Sequence, residues 1–173
     1  MQTLEQIIER VNEEKRFGSR FPVRIVFIDD INQYQELVDR LKNTCDETIE
    51  IAELCSAEDV YPNFSNLTKR IDKYKEKQIL LLSLSEYLRL AIKRETQSTR
   101  SQFPTFWQTQ QNASSRTRII VPLFACKELF DRVVPSRDAR QLNNIWELAT
   151  IPSQSRKLKL TIYSSKFRGK IAE

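Results

Sequence analysis

The residues with the clearest potential for chemistry are two adjacent carboxylates, Asp29 and Asp30, which follow a predicted strand. That strand, Val23–Ile28, is an apolar run interrupted only by Arg24, a pattern typical of a strand buried on both faces of a sheet. Ligands of open α/β sheets bind beyond the carboxyl ends of the strands, and Mg²⁺ prefers carboxylate oxygens. Asp29 and Asp30 are therefore a candidate metal site. The simpler interpretation is that one of them caps the following helix.

The same segment, RIVFIDD, resembles a Walker B strand and the acidic pocket of a receiver domain, but the partners of both sites are missing. The only glycines, Gly18 and Gly169, cannot form a Walker A loop or a dinucleotide-binding fingerprint, whose glycines lie a few residues apart. A receiver domain needs a third carboxylate after the middle strand and a lysine after a later one. Ser83 or Ser85 and Phe124-Ala125 stand in those places, so a phospho-acceptor function is excluded.

The remaining nucleophiles lack the groups that would activate them. The chain has no histidine, which removes Ser-His-Asp and Cys-His systems and histidine-ligated metals. Ser85 and Glu86 could form a polar site beside Asp29, but Ser83-Leu84-Ser85-Glu86 is also a helix-capping box. The 3 cysteines are scattered singly, which argues against a disulfide framework and a closed metal site. We predict no catalytic residue and no cofactor.

A basic and aromatic region offers a different chemistry. Phosphate neutralisation combined with base stacking requires cationic and aromatic side chains together. The candidate nucleic-acid-binding residues are Arg89, Lys93, Arg94, Arg100, Trp107, Arg116 and Arg118. The alternative is that the aromatic residues are core anchors and that the arginines are a solvated face.

The net charge of +5 is unevenly distributed along the chain. Residues 1–60 contain 7 basic and 14 acidic side chains, and residues 61–173 contain 21 and 9, so the two parts carry about −7 and +12. This asymmetry indicates docking against an acidic partner, nucleic acid or a neighbouring domain. Two differently charged solvated faces of one fold would give the same numbers.

Periodicity places these residues on alternating strands and helices. A capping box at Thr3–Gln6 starts a helix that ends near Phe17-Gly18, and a second helix carries Leu37, Val38 and Leu41 on one stripe. Later helices are predicted around Phe64–Tyr74, after Ser83, from Pro104 to Ala113 and over Ala125–Val134. The predicted strands are Val23–Ile28, Thr48–Leu54, Gln78–Leu82, Arg118–Leu123 and an edge strand, Lys157–Tyr163.

Strands separated by helices predict parallel βαβ units. We expect one α/β domain over residues 1–173, a three-layer sandwich whose mostly parallel, Rossmann-like or flavodoxin-like sheet has about five strands. Residues 135–156 are expected to be mostly loop, with Trp146 and Leu148 anchored in apolar surface. The sequence contains no apolar run long enough for a membrane span and no targeting peptide. These features predict a cytoplasmic protein without a membrane partner.

Several segments resemble one family. PVRIVFIDDINQYQELVDRL, ILLLSLSEYLRLAIKRE, FWQTQQNASSRTRIIVPLFACKELFDRVVP and the later WEL are similar to the amino-terminal region of PglZ-type proteins of BREX bacteriophage-exclusion systems. The resemblance covers residues 20–150. It implies the amino-terminal part of a longer protein whose metal-dependent, alkaline-phosphatase-superfamily domain lies downstream.

That catalytic domain uses Asp and His metal ligands, so it cannot lie within a chain without histidine. The resemblance therefore implies a non-catalytic scaffold or interaction domain of a phage-defence protein. Its partners would be the downstream domain of the same protein and other defence-system proteins. The alternative is a nucleic-acid-binding module that uses the basic and aromatic surface around residues 89–118.

Overall fold

The chain folds around a parallel five-stranded sheet in the computed structural model, which describes residues 2–19, 21–51, 64–74, 76–85, 118–125, 127–133 and 146–153. The strands are β1 (Val23–Ile28), β2 (Glu47–Glu50), β3 (Gln78–Leu82), β4 (Arg118–Phe124) and β5 (Trp146–Ile151). Their order is β2-β3-β4-β1-β5. Val23 pairs with Ile119 of β4 and with Trp146 of β5, which fixes the register around the central strand. Every residue of β1 is buried, because β4 and β5 flank it and helices cover both faces.

The ends of helix α1 (Leu4–Phe17) are determined by its capping residues, and the face that it buries is determined by one apolar stripe, as the sequence predicts. The Thr3 hydroxyl accepts from the Gln6 backbone N–H at 3.2 Å, and the Gln6 side chain accepts from the Thr3 N–H at 3.0 Å. Gly18 ends the helix with a φ of 84°, a conformation that favours glycine. The stripe buries Leu4, Ile7, Ile8, Val11 and Glu14.

Helix α2 (Ile31–Thr44) packs beside α1 on the first face of the sheet. Its stripe of Leu37, Val38 and Leu41 is buried, as predicted, and joins the α1 stripe over Val26, Ile28 and neighbouring strand residues. Cys45, immediately after α2, is a free thiol within this core. Burial raises the pKa of the Cys45 thiol to about 12, so it remains protonated and unreactive at neutral pH.

The second face of the sheet is covered by α3 (Phe64–Asp72) and α4 (Lys127–Val133). Leu67 and Ile71 of α3 are buried, and the Phe130 ring of α4 meets the Phe27 ring of β1 edge to face at 5.3 Å. Phe27 alternates with Val26 and Ile28 along β1, so the two helical layers lie on opposite faces. The predicted three-layer α/β fold is confirmed.

Strand β5 replaces a predicted loop. The sequence predicts a mostly irregular stretch here, but Trp146–Ile151 is a strand parallel to β1 at the edge of the sheet. Two of its residues have the reverse of the usual polarity, because Glu147 lies on the face beneath α1 whereas Leu148 remains 45% exposed. The expectation that Leu148 is anchored in apolar surface is therefore wrong.

The other differences concern element ends. Strand β2 ends at Glu50 and Ile51 follows as a tight turn, so the predicted continuation through Ile51 is wrong. Strand β4 runs one residue beyond its predicted end, and α4 starts two residues later than predicted. The predicted helix Pro104–Ala113 and edge strand Lys157–Tyr163 lie outside the described residues. None of the described helices is both long and apolar enough to cross a membrane.

Candidate functional site at the carboxyl edge

The place where an open α/β sheet binds ligands is defined here by β1 and β4. These strands are neighbours, yet the helix after β1 packs on the first face and the helix after β4 on the second. Adjacent strands whose following helices leave toward opposite faces create a crevice beyond their carboxyl ends. Asp29 and Asp30 follow β1 at this crevice, and Ala125 follows β4.

At this crevice, Asp30 has a structural role as a helix cap. It is the N-cap of α2, and its carboxylate oxygen Oδ1 accepts from the backbone N–H groups of Asn32 at 2.8 Å and Gln33 at 3.3 Å. The side chain of Asp30 is buried, whereas Asp29 is exposed. The interpretation of one of these carboxylates as a helix cap is thus confirmed for Asp30. The predicted metal-binding role of the pair stays a prediction.

The end of β4 is hydrogen-bonded both to the end of β1 and to the residues that follow β3. The Ala125 N–H donates to the Ile28 carbonyl at 2.8 Å, and the Phe124 N–H donates to the buried Ser85 hydroxyl at 3.4 Å. The Tyr34 and Phe124 rings lie 5.6 Å apart. These contacts link the strand ends at the crevice to one another and to α2.

Two residues at these strand ends adopt left-handed backbone conformations without being glycine. Ser83 has a φ of 68° and Ala125 a φ of 48°, values that are unfavourable for residues with a Cβ. The predicted capping box required Ser83 in the extended conformation that N-cap residues usually adopt. Ser83 does not have that geometry, and its predicted partner Glu86 lies outside the described residues.

The described part of the chain does not assemble a metal centre. No group of three or more Asp, Glu, Cys or His side chains lies close enough together there to hold an ion. A divalent site of ordinary coordination needs several oxygen ligands besides water. Asp29 and Asp30 have no third carboxylate beside them among these residues.

Of the predicted nucleic-acid-binding residues, only Arg118 falls within the described residues. It starts β4 at the amino edge of the sheet, opposite the crevice, and its guanidinium Nη1 donates to the carbonyl of Glu14 in the last turn of α1. A cation at the carboxyl end of a helix interacts favourably with the helix dipole. Arg118 therefore helps to hold α1 in place. The other predicted residues, Arg89, Lys93, Arg94, Arg100, Trp107 and Arg116, lie outside the described ranges.

A buried ion cluster was not anticipated from the sequence. Arg24 of β1 is 4% exposed and its Nη2 donates to the carboxylates of Glu14 and Glu147, the latter at 2.8 Å. Arg10 also contacts Glu147 at 3.1 Å. The sequence contains two signals for this cluster. A lone arginine within a buried strand requires buried acids as partners. Glu14 lies three residues after Val11 and therefore continues the apolar stripe of α1.

Removal of the Asp30 carboxylate should cost about 1 kcal/mol of unfolding free energy. Asp30→Ala leaves two backbone N–H groups of α2 without their acceptor, and loss of a helix cap typically costs about 0.5–2 kcal/mol. Urea denaturation of Asp30→Ala and of the matched variant Asp29→Ala provides the measurement. Because Asp29 is exposed, Asp29→Ala should change the stability by less than about 0.5 kcal/mol.

The same variants separate capping from metal binding. If Asp30 only caps the helix, Mg²⁺ should not shift the denaturation midpoint of the parent chain. A stabilisation by Mg²⁺ that Asp29→Asn removes would instead support the predicted metal site.

Comparisons with known proteins give a family and a distant structural likeness. A family model described as "Domain of unknown function (DUF7864)" matches residues 4–172. No curated protein matches the sequence. A chain in a structure described as Drosophila ORC bound to GC-rich DNA and Cdc6 is similar with a TM-score of 0.45 and 10% identity. The alignment covers 90% of this chain but 29% of that one, so this chain spans less than a third of its structural neighbour.

Proposed function

Since the chain belongs to the DUF7864 family, for which no function is described, we propose from its structure that it is a non-catalytic scaffold or interaction domain. The observation that carries this proposal is the connection after β1. Strand β1 ends at Ile28 and α2 begins at Ile31, so Asp29 and Asp30 alone connect them. A phosphate-binding loop needs several residues with free backbone N–H groups at this place.

The side chains at the crevice support the same proposal. Asp30 is engaged in capping α2, Ser85 accepts from Phe124, and Tyr34 packs against Phe124. A catalytic site requires a nucleophile or base with a partner that orients it. The described residues at this edge are instead bonded to one another in ways that hold β1, β3 and β4 together.

We extend the proposal to a phage-defence protein of the PglZ type on the strength of the sequence resemblance. The domain would position a downstream metal-dependent phosphatase-type domain or dock other defence components. The uneven charge, about −7 in residues 1–60 and +12 in the rest, supports a docking role, because charged surfaces steer association and select partners.

Turnover assays test the absence of catalysis. The purified chain should not hydrolyse p-nitrophenyl phosphate, ATP or DNA above the buffer rate in the presence of Mg²⁺, Mn²⁺ or Zn²⁺. Turnover that Asp29→Asn or Asp30→Asn abolishes would overturn the proposal, because a contaminating enzyme would be insensitive to these substitutions.

A binding assay tests the docking partner. The chain should co-elute on size exclusion with the separately purified phosphatase-type domain of a PglZ-type protein from the same genome. Charge reversal of exposed acids on α1, such as Glu9→Lys with Glu13→Lys, provides a variant that should weaken a charge-dependent complex. Separate elution at low ionic strength would contradict the PglZ extension, while the turnover assays would still decide whether the domain is catalytic.

A further inference from the structure

Strand β5 has a free outer edge in the described part of the chain. It pairs with β1 on one side, and no described strand lies on the other. The Gln2 backbone N–H donates to the Thr150 carbonyl at 3.0 Å, which places this carbonyl on the outer edge. Because backbone groups alternate between the two sides of a strand, the N–H and C=O of Leu148 point to the same edge. Neither group has a backbone partner among the described residues.

An exposed apolar side chain lies along the same edge. Ala149 and Ile151 are buried in the core beneath α1 and α2, so Leu148 alternates to the second face of the sheet. Leu148 and Thr150 are both exposed there. The second face of β5 is therefore uncovered at a leucine whose backbone groups are also free.

The residues of β5 offer little protection against further pairing. Natural edge strands are protected by lysine, by proline or by inward-pointing charges. The sequence WELATI has no lysine or proline, and its one charged side chain, Glu147, is paired with Arg24 and Arg10. A regular strand with such an edge favours the addition of another extended segment.

We propose that the segment Lys157–Tyr163 of the same chain adds to this edge as an antiparallel strand. The segment lies outside the described residues, but its sequence, KLKLTIY, alternates, with Leu158, Leu160 and Ile162 on one face. Its two lysines, on the other face, supply the edge protection that β5 lacks. An antiparallel edge strand on an otherwise parallel sheet is common in doubly-wound folds.

The connection between the two strands favours this occupant over a second copy of the chain. Strand β5 ends at Ile151 and the segment begins at Lys157, so the five residues PSQSR join them. Loops of four or five residues are common in β-hairpins. A short flexible linker also gives the tethered strand an effective concentration on the order of mM, which a second copy reaches only in very concentrated solution.

The same connection sets the register of the pair. With Ile151 opposite Lys157 next to the turn, Leu160 lies opposite Leu148, because the two strands run in opposite directions. All three apolar side chains of the segment then share the face of Leu148, and the lysines take the other face. A shift by one residue would place Thr161 opposite Leu148 and reverse the two faces.

Disulfide trapping on the full chain tests this pairing. In a hydrogen-bonded antiparallel pair the Cα atoms lie about 5.5 Å apart, a separation that suits a disulfide. The double variant Leu148→Cys with Leu160→Cys should therefore form an intramolecular disulfide under mild oxidation. Peptide mapping by mass spectrometry separates this bond from any that involves a native cysteine. The matched control, Leu148→Cys with Thr161→Cys, should remain largely reduced, because Thr161 is on the opposite face.

Hydrogen exchange of the Leu148 amide gives a second readout that needs no cysteine. This amide should be protected in the parent chain. Leu160→Pro removes one of the two hydrogen bonds of the pair and should accelerate exchange of the Leu148 amide roughly 2- to 10-fold. Thr161→Pro is the control and should leave the protection unchanged, since the Thr161 N–H points away from β5 and proline is tolerated at such edge positions.

Three results would overturn the proposal. The first is equal trapping of the two cysteine pairs, and the second is a Leu148 amide that exchanges in the parent chain as fast as in an unstructured peptide. The third is a disulfide-linked dimer of the single variant Leu148→Cys, which would indicate that a second copy of the chain occupies this edge instead.

Discussion

Replacement of Arg24 by methionine should lower the unfolding free energy by about 3–5 kcal/mol, the usual cost of removing one partner from a buried ion pair. Arg24 is 4% exposed and donates to Glu14, which is 8% exposed. Without the guanidinium, the Glu14 carboxylate would be buried without an ion-pair partner among the described residues. Urea denaturation monitored by circular dichroism would measure the loss, with α1 expected to detach most readily.

Most of this loss of stability should arise because the Glu14 carboxylate is left buried and unpaired, and little of it from the loss of the ion pair itself. Two guanidinium nitrogens of Arg24, Nε and Nη1, are buried without a hydrogen-bond partner, so part of its desolvation is uncompensated. The double variant Arg24→Met with Glu14→Leu should therefore recover to within about 1 kcal/mol of the parent or exceed it. Glu147 needs no change, because Arg10 still contacts it at 3.1 Å.

The two outcomes have distinct meanings. A loss below about 1 kcal/mol for Arg24→Met would contradict the buried position of the cluster. A double variant as unstable as the single one would show that the ion pair itself is worth more than the apolar contacts that replace it.

The sequence predicts the correct bounds for those helices and strands whose start and end are signalled by the residues within or next to them. Strand β1 lies between two strands and two layers of helices, so its sequence is an apolar run interrupted only by Arg24, and the run ends with the strand at Asp29. Strand β3 is buried along its whole length for the same reason. Helix α1 starts at a capping box and ends before a glycine, and both signals lie within a few residues of the ends they determine.

The sequence does not predict strand β5, because the burial pattern of the strand depends on residues that are distant in sequence. Glu147 is on the covered face only because Arg24 and Arg10, more than a hundred residues earlier in the chain, supply cations. Leu148 is on the exposed face of an edge strand. Without the sheet order, the sequence suggests that Glu147 is exposed and Leu148 buried, the reverse of their actual burial.

The candidate site, too, can be predicted from the sequence only in part. That Asp29 and Asp30 follow a buried strand, and that one of them caps a helix, could be deduced from neighbouring residues. The crevice itself could not, because it requires β1 and β4 to be adjacent although about ninety residues separate them in sequence.

Truncation of Ile151 should show that 146–151 is a strand with one buried face. Ile151 is 2% exposed within the core beneath α1 and α2, and Ile151→Ala removes methyl and methylene groups from a packed interior. Such large-to-small changes cost about 2–5 kcal/mol. Leu148, three residues earlier and on the opposite face, is 45% exposed. Leu148→Ala should cost less than about 1 kcal/mol.

Both variants are compared with the parent chain by urea denaturation, since a difference in midpoint at constant slope isolates the change in stability. The two substitutions delete apolar groups of similar size from the same strand, so each is the control for the other. Two small and equal costs would contradict the burial of Ile151. A larger loss for Leu148→Ala than for Ile151→Ala would contradict the orientation of β5. It would fit the irregular stretch that the sequence alone predicts, in which Leu148 is anchored in apolar surface.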